Sequence, residues 1–170
     1  AKLNNLKQAA KTMNFLTEHG ISSYGELESK LTALSARRDT AHAEIKRIES
    51  RSAELTLVMK HAGTYRQLKP LYDRYRKSND KEKFLQGHES EIILFEAAAR
   101  ELKRLGAVPL PTTESMKTEL ANLNAEKERL LAEYKAARTE AQEYDTVKQN
   151  VDALLTVPKE QEQQRRHELE

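Results

Sequence analysis

The sequence predicts an all-α fold, an elongated antiparallel coiled-coil helical hairpin with a short N-terminal helix at its base and a small helical head at its tip. The first observation is a pair of unbroken heptad seams. Leu27, Leu31, Leu34, Arg38, Ala41, Ile45, Ile48, Ser52, Leu55 and Met59 alternate at steps of four and three. So do Met116, Leu120, Leu123, Lys127, Leu130, Tyr134, Ala137, Ala141, Tyr144, Lys148, Val151 and Leu155. That alternation keeps one narrow stripe of a helix against a partner helix. The second observation is composition: 38% hydrophobic against 33% charged, with three Phe and no Trp, suits a high ratio of surface to core. The third is that five Gly and four Pro leave little room for the turns of a β or α/β fold.

A first helix is expected from Lys2 to Glu18, with Leu3, Leu6, Ala10, Met13 and Leu16 on one face and Gly20 as its left-handed stop. Ser23 then stands three residues before Glu26, the spacing at which a hydroxyl and a carboxylate satisfy the free amides of a new helix. The rod helix therefore spans 23–59. Beyond Met59 the stripe is displaced to Tyr65, Leu68, Tyr72 and Tyr75, and Pro70 either kinks the helix or opens a new one. Ser78, Asn79 and Asp80 read as a turn. A third helix follows, with Phe84 or Leu85, His88, Ile92, Phe95, Ala99, Leu102 and Leu105 facing inward and Gly106 closing it. Val108 to Pro111 form an extended connector, so the head and connector occupy 60–111. Thr112 caps a second rod helix over 112–155. The single module thus covers 1–157, with 1–20 as its first helix, and 158–170 is expected to be a disordered tail. Ala1 in place of Met reads as the start of an excised piece, and Leu169 and Glu170 read as tag-derived.

One antiparallel register sets Leu27 against Leu155, Arg38 beside Tyr144, Ala41 against Ala141, Ile45 against Ala137 and Ile48 against Tyr134. A slip of one heptad preserves the seams equally well. Val147 and Leu154 lie off the last helix's seam and offer a strip for the first helix. The polar seam residues Arg38, Ser52, Lys127 and Lys148 read as edge positions whose stems cover apolar surface, or as places where the rod opens to a partner.

Chemistry is hard to place in this chain. With no cysteine there is no disulfide, thiolate metal site or cysteine nucleophile. His88 and Glu89 lack a second histidine at helical zinc spacing, so no metal is expected, and His88 reads as a hydrogen-bonded core or boundary residue. His19, beside Gly20, is placed to bond the last carbonyls of the first helix. The carboxylates are interspersed with Lys and Arg along solvated faces, the glycines are isolated, and no catalytic residue or cofactor site emerges. No apolar run approaches the length of a membrane span and no signal peptide opens the chain, so a cytoplasmic protein is expected.

One region departs from the even mixture of charge. From Lys60 to Lys83 stand eight basic residues, Lys60, Arg66, Lys69, Arg74, Arg76, Lys77, Lys81 and Lys83, against Asp73, Asp80 and Glu82, a net of +5 in a chain of net +2. Tyr65, Tyr72 and Tyr75 are interleaved with them, a pattern that suits phosphate contacts with aromatic stacking on unpaired bases. The same tyrosines, spaced three to four apart with Leu68, equally suit a packed core.

The run Asn14, Phe15, Leu16, Thr17, Glu18, His19, Gly20, Ile21, then Ser23, Tyr24, Glu26 and Leu27, resembles the region downstream of the nuclease domain in relaxase/mobilisation nucleases of Gram-positive conjugative and mobilisable elements. Further matching pieces are Tyr72, Tyr75, Arg76, Lys77; Lys83, Phe84, Leu85; His88, Glu89, Glu91, Ile92; Leu110, Pro111, Thr112; and Asn150, Val151, Asp152. The family often has a glycine where this chain has the turn Ser78, Asn79, Asp80. The resemblance implies a parent enzyme that nicks DNA through motifs upstream of this region, so the chain itself is expected to be non-catalytic. Its implied role is DNA engagement or transfer-complex assembly in mobilisation. The implied partners are DNA, single-stranded at a transfer origin, other mobilisation or coupling proteins, and a second copy of the chain. The rival reading is a purely structural coiled-coil or dimerisation module with no nucleic-acid role, and a hydrolase or transferase stands behind both.

Overall fold

The computed structural model describes residues 2–167, with side chains for all of these except 157–161. Four helices follow one another: α1 Lys2–Glu18, α2 Tyr24–Lys77, α3 Lys81–Arg104 and α4 Thr113–His167, with no strand among the described residues. The all-α class and the expected starts hold. Gly20 and Gly106 take φ of 64° and 68°, the left-handed conformation that closes α1 and the α3 end. Ser23 Oγ accepts from Glu26 N–H at 3.1 Å, and Thr112 Oγ1 accepts from Ser115 N–H at 3.1 Å. The Glu26 carboxylate reaches Ser22, accepting from its backbone N–H at 2.7 Å and its hydroxyl at 2.8 Å. Those bonds, the backbone one foremost, hold the carboxyl below its usual range.

Two expected helix ends, Met59 and Leu155, are corrected. α2 passes both Met59 and Pro70 without ending, and α4 passes Leu155 and Pro158 to reach His167. A proline forfeits one backbone N–H bond, and good helix formers on either side, such as the Glu, Gln and Arg that follow Pro158, let the helix run on. The remainder of the expected tail, including Leu169 and Glu170, lies outside the described residues. Within α3 the buried face is Ile92, Phe95, Ala98 and Leu102, so Ala98 takes the place expected for Ala99. His88, at φ −140° and ψ 19°, breaks the helical geometry.

The chain divides into two compact units. The first comprises residues up to Ala43 together with those from Leu130 onward, and the second is Glu44–Arg129. In the first, α2 and α4 run antiparallel, since Tyr24 Oη donates to Asp152 at 2.6 Å while Arg37 bonds Glu133 at 3.1 Å. Its core is Leu27, Leu34, Ala141, Tyr144 and Val147, joined by Phe15, Leu16 and Ile21. The register differs from the expected one by about one heptad, a slip that the seams tolerate. Leu155, expected opposite Leu27, is 56% exposed, while Leu27 packs with Tyr144 and Val147. Tyr134 lies 5.7 Å from the His42 ring, and Arg38 shares a pocket with Tyr134 and Arg138 and not with Tyr144. Tyr144 is covered by α1, with Phe15 at 5.1 Å and His19 at 5.7 Å between ring centroids.

Of the stripe its sequence advertises, α1 brings Leu16 to the core and leaves the rest in solvent. Leu3, Leu6 and Met13 are 68%, 73% and 59% exposed, and Thr12 is the buried residue. Its hydroxyl donates to Gln8 O at 2.9 Å and accepts from Asn150 at 3.4 Å, while Gln8 donates to Asn150 Oδ1 at 2.7 Å. Polar bonds to α4, with Phe15 over Tyr144, outweigh the apolar stripe in setting the helix's rotation. Leu154, expected in the docking strip, is 44% exposed, whereas Val147 is buried.

The second unit packs α2, α3 and the first half of its α4 segment around Leu55, Val58, Ala62, Leu102, Ala107 and Met116. Here too α2 and α4 are antiparallel, with Lys127 bonded to Glu49 at 2.9 Å and Arg51 to Glu119 at 2.7 Å. The α2 seam moves from Leu55 to Val58 and Ala62, leaving Met59 half-buried. Lys127 and Lys148 are edge residues: each pairs with a carboxylate, and Lys148 also lies 5.6 Å over the Tyr24 ring.

Candidate nucleic-acid interface

The eight basic residues do not form one uniform surface. Arg66 is committed to the connector, donating to Thr113 Oγ1 at 2.8 Å and to the Pro111 carbonyl. Lys69 pairs with Asp73 at 2.9 Å, a bond that raises the lysine's pKa. Lys60 is exposed on α2. The remaining five flank the short turn Ser78–Asp80: Arg74, Arg76 and Lys77 at the end of α2, Lys81 and Lys83 at the start of α3. All five are exposed. Arg74 lies 5.9 Å over the Phe84 ring, and among the described residues Arg76, Lys77, Lys81 and Lys83 make no ion pair.

Helix electrostatics separate these cations into two kinds. Arg74, Arg76 and Lys77 sit where the negative end of the α2 dipole welcomes positive charge, so stability alone accounts for them. Lys81 and Lys83 occupy the first turn of α3, the positive end, where a cation is unfavourable by a few tenths of a kcal/mol. Helix stability does not explain them. Asp80, accepting from Lys83 N–H at 3.1 Å, and Glu82 in the same first turn supply the local compensation.

The tyrosines turn inward. Phe95, 5% exposed, is stacked with Tyr72 at 4.2 Å and with Tyr65 at 4.8 Å. Tyr75 lies 5.9 Å from both Tyr72 and Phe84, and Phe84 lies 4.9 Å from His88. All three tyrosines are half-buried, each with a ring neighbour, so the spacing of three to four marks the α2–α3 contact. The hydrogen bond expected of His88 is not made at Nδ1, which is buried without a partner, with Glu91 Oε1 3.6 Å away. His19 does as expected, its Nδ1 lying 2.8 Å from Phe15 O.

Other candidate sites are weaker. An open groove of about 880 Å³ between α1 and α4 is lined by Lys7, Lys11, Phe15, His19, Glu143 and Asn150 among others. It was not foreseen, because it depends on the rotation of α1. Among the described residues no three His, Asp or Glu side chains are arranged to hold a metal, and no helix is long and apolar enough to cross a membrane. No family model, curated protein or solved structure matches the chain.

Proposed function

We propose that the chain is a non-catalytic module of a DNA-mobilisation protein of the relaxase kind, and that the basic turn between α2 and α3 is where it engages DNA. The carrying observation is the pair Lys81 and Lys83, exposed, without ion pairs and set against the α3 dipole beside three further cations. An anionic partner repays that arrangement. The sequence resemblance to relaxase/mobilisation nucleases supports DNA as that partner, and assembly with other mobilisation or coupling proteins follows from the same resemblance. The test is fluorescence anisotropy of labelled DNA with the full chain. Reversing Lys81 and Lys83 to Glu weakens binding, while reversing the exposed Lys135 and Arg138 of the first unit leaves it unchanged; equal behaviour of the two variants refutes the reading.

A second reading, a helical interaction or dimerisation module, is favoured by the exposed Leu3, Leu6 and Met13 of α1. Concentration-dependent self-association in sedimentation, abolished by Leu6→Glu, is its signature.

A further inference from the structure

We infer that the α2–α3 turn engages the phosphate backbone of double-stranded DNA and does not read unpaired bases. The inference rests on the DNA reading above and specifies the strand class. Recognition of a single strand without sequence preference combines a cationic track with aromatic faces on which successive bases stack. The cationic half of that pair is present here, since Arg74, Arg76, Lys77, Lys81 and Lys83 are all exposed. The stacking half is already used within the protein: Tyr65 and Tyr72 stack on Phe95, and Tyr75 lies against Tyr72 and Phe84.

What remains is a surface of point charges. Such a surface responds to charge density, and a duplex carries one phosphate per ~1.7 Å of axis, a denser line than a single strand offers. Two of the five cations are arginines, which bond phosphate oxygens in a fork, and three are lysines, which act as mobile point charges. The turn carries fewer anions than cations: Asp73 is paired with Lys69, Asp80 is engaged at the α3 cap, and Glu82 lies exposed between Lys81 and Lys83. Contacts of this kind position a protein on DNA without conveying base sequence.

The experiment titrates the full chain into a labelled 20-nucleotide single strand, and separately into the same sequence as a duplex, at several salt concentrations. The expected result is tighter binding of the duplex, independent of base composition. With about four phosphates neutralised, the log-log slope is about −3.6, and affinity falls roughly 100-fold between 50 and 200 mM salt. A quadruple variant R76E/K77E/K81E/K83E, checked for intact helix content by circular dichroism, loses that salt-sensitive component, and Tyr75→Leu retains it. Equal or tighter binding of the single strand overturns the inference and leaves the DNA reading standing, as does loss of binding in Tyr75→Leu with its helix content intact. Absence of salt-sensitive binding to either form overturns both.

Discussion

The two units bury their aromatic rings for different ends. In the first, Tyr144 lies at the centre of a core to which three helices contribute, and polar ties surround it: Gln8 with Asn150, Thr12 with Asn150, Tyr24 with Asp152. In the second, Phe95 is stacked with two tyrosines and the surrounding core is aliphatic, while unpaired charge collects at the turn beyond the rings. Directional bonds fix α1 in the first unit despite an apolar stripe left in solvent. Ring stacking in the second joins α2 to α3, with Arg74 over the Phe84 ring and the other four cations of the turn left outside it. The difference shows how one helical fold can reserve one region for holding a helix in place and another for displaying charge.

The largest expected effects come from removing either core. Tyr144→Ala should cost about 3–5 kcal/mol and Leu102→Ala about 2–5 kcal/mol in urea denaturation, because each leaves a cavity in a packed interior. Leu6→Ala should change stability by less than about 0.5 kcal/mol, since Leu6 is 73% exposed. A large loss at Leu6 would mean that the α1 stripe is covered in solution.

Next in size is the quadruple charge reversal at the turn, with an expected loss of about 100-fold in duplex affinity at low salt, against little change for K135E/R138E in the first unit. Similar losses in both would erase the distinction between the units.

Asp80→Ala sharpens the comparison because its two consequences have opposite sign. Loss of the α3 cap should destabilise the second unit by about 1 kcal/mol. Removing an acid from the basic turn should at the same time strengthen DNA binding. If affinity falls together with stability, the turn depends on its cap geometry more than on its charge.

The smallest effect is on acid stability. The Glu26 carboxyl is lowered by its bonds from Ser22, and Asp152 is lowered chiefly by the hydroxyl of Tyr24. A lowered native pKa means that the unfolded chain takes up the proton first. Each contribution is therefore complete above the usual carboxylate range and is lost as pH falls through the lowered native value. Glu26→Gln should flatten the acid limb of stability measured by chemical denaturation across pH 2 to 6, roughly the range in which carboxylates titrate. An unchanged limb would show that these bonds do not persist in solution.

Much of this was legible in the sequence for reasons that can be named. Ser23, Thr112, Gly20 and Gly106 mark helix ends through local bonding, which needs no partner to act. The antiparallel pairing of α2 with α4 followed from the seams, but the register did not, because a seven-residue slip presents the same stripe. Surface pairs such as Arg37–Glu133 and Arg51–Glu119 are consistent with the final register, yet exposed ion pairs are worth too little to pick it out beforehand. Pro70 and Pro158 were legible as residues but not as events, since whether a proline ends a helix depends on what its neighbours gain by continuing. At the candidate interface the cations could be counted directly. The fate of the tyrosines turned on Phe95, whose place between α2 and α3 only the folded chain reveals.

The break at His88 gives α3 two directions where a continuous helix has one. Lys81 and Lys83 ride on the segment before the break, whereas Ile92, Phe95, Ala98 and Leu102 hold the segment after it to the core. On the segment before the break Phe84 meets Tyr75 and His88, while Phe95 after it holds Tyr65 and Tyr72. The heading of the charged turn is thus set by one pair of backbone angles, separately from the face that α3 buries.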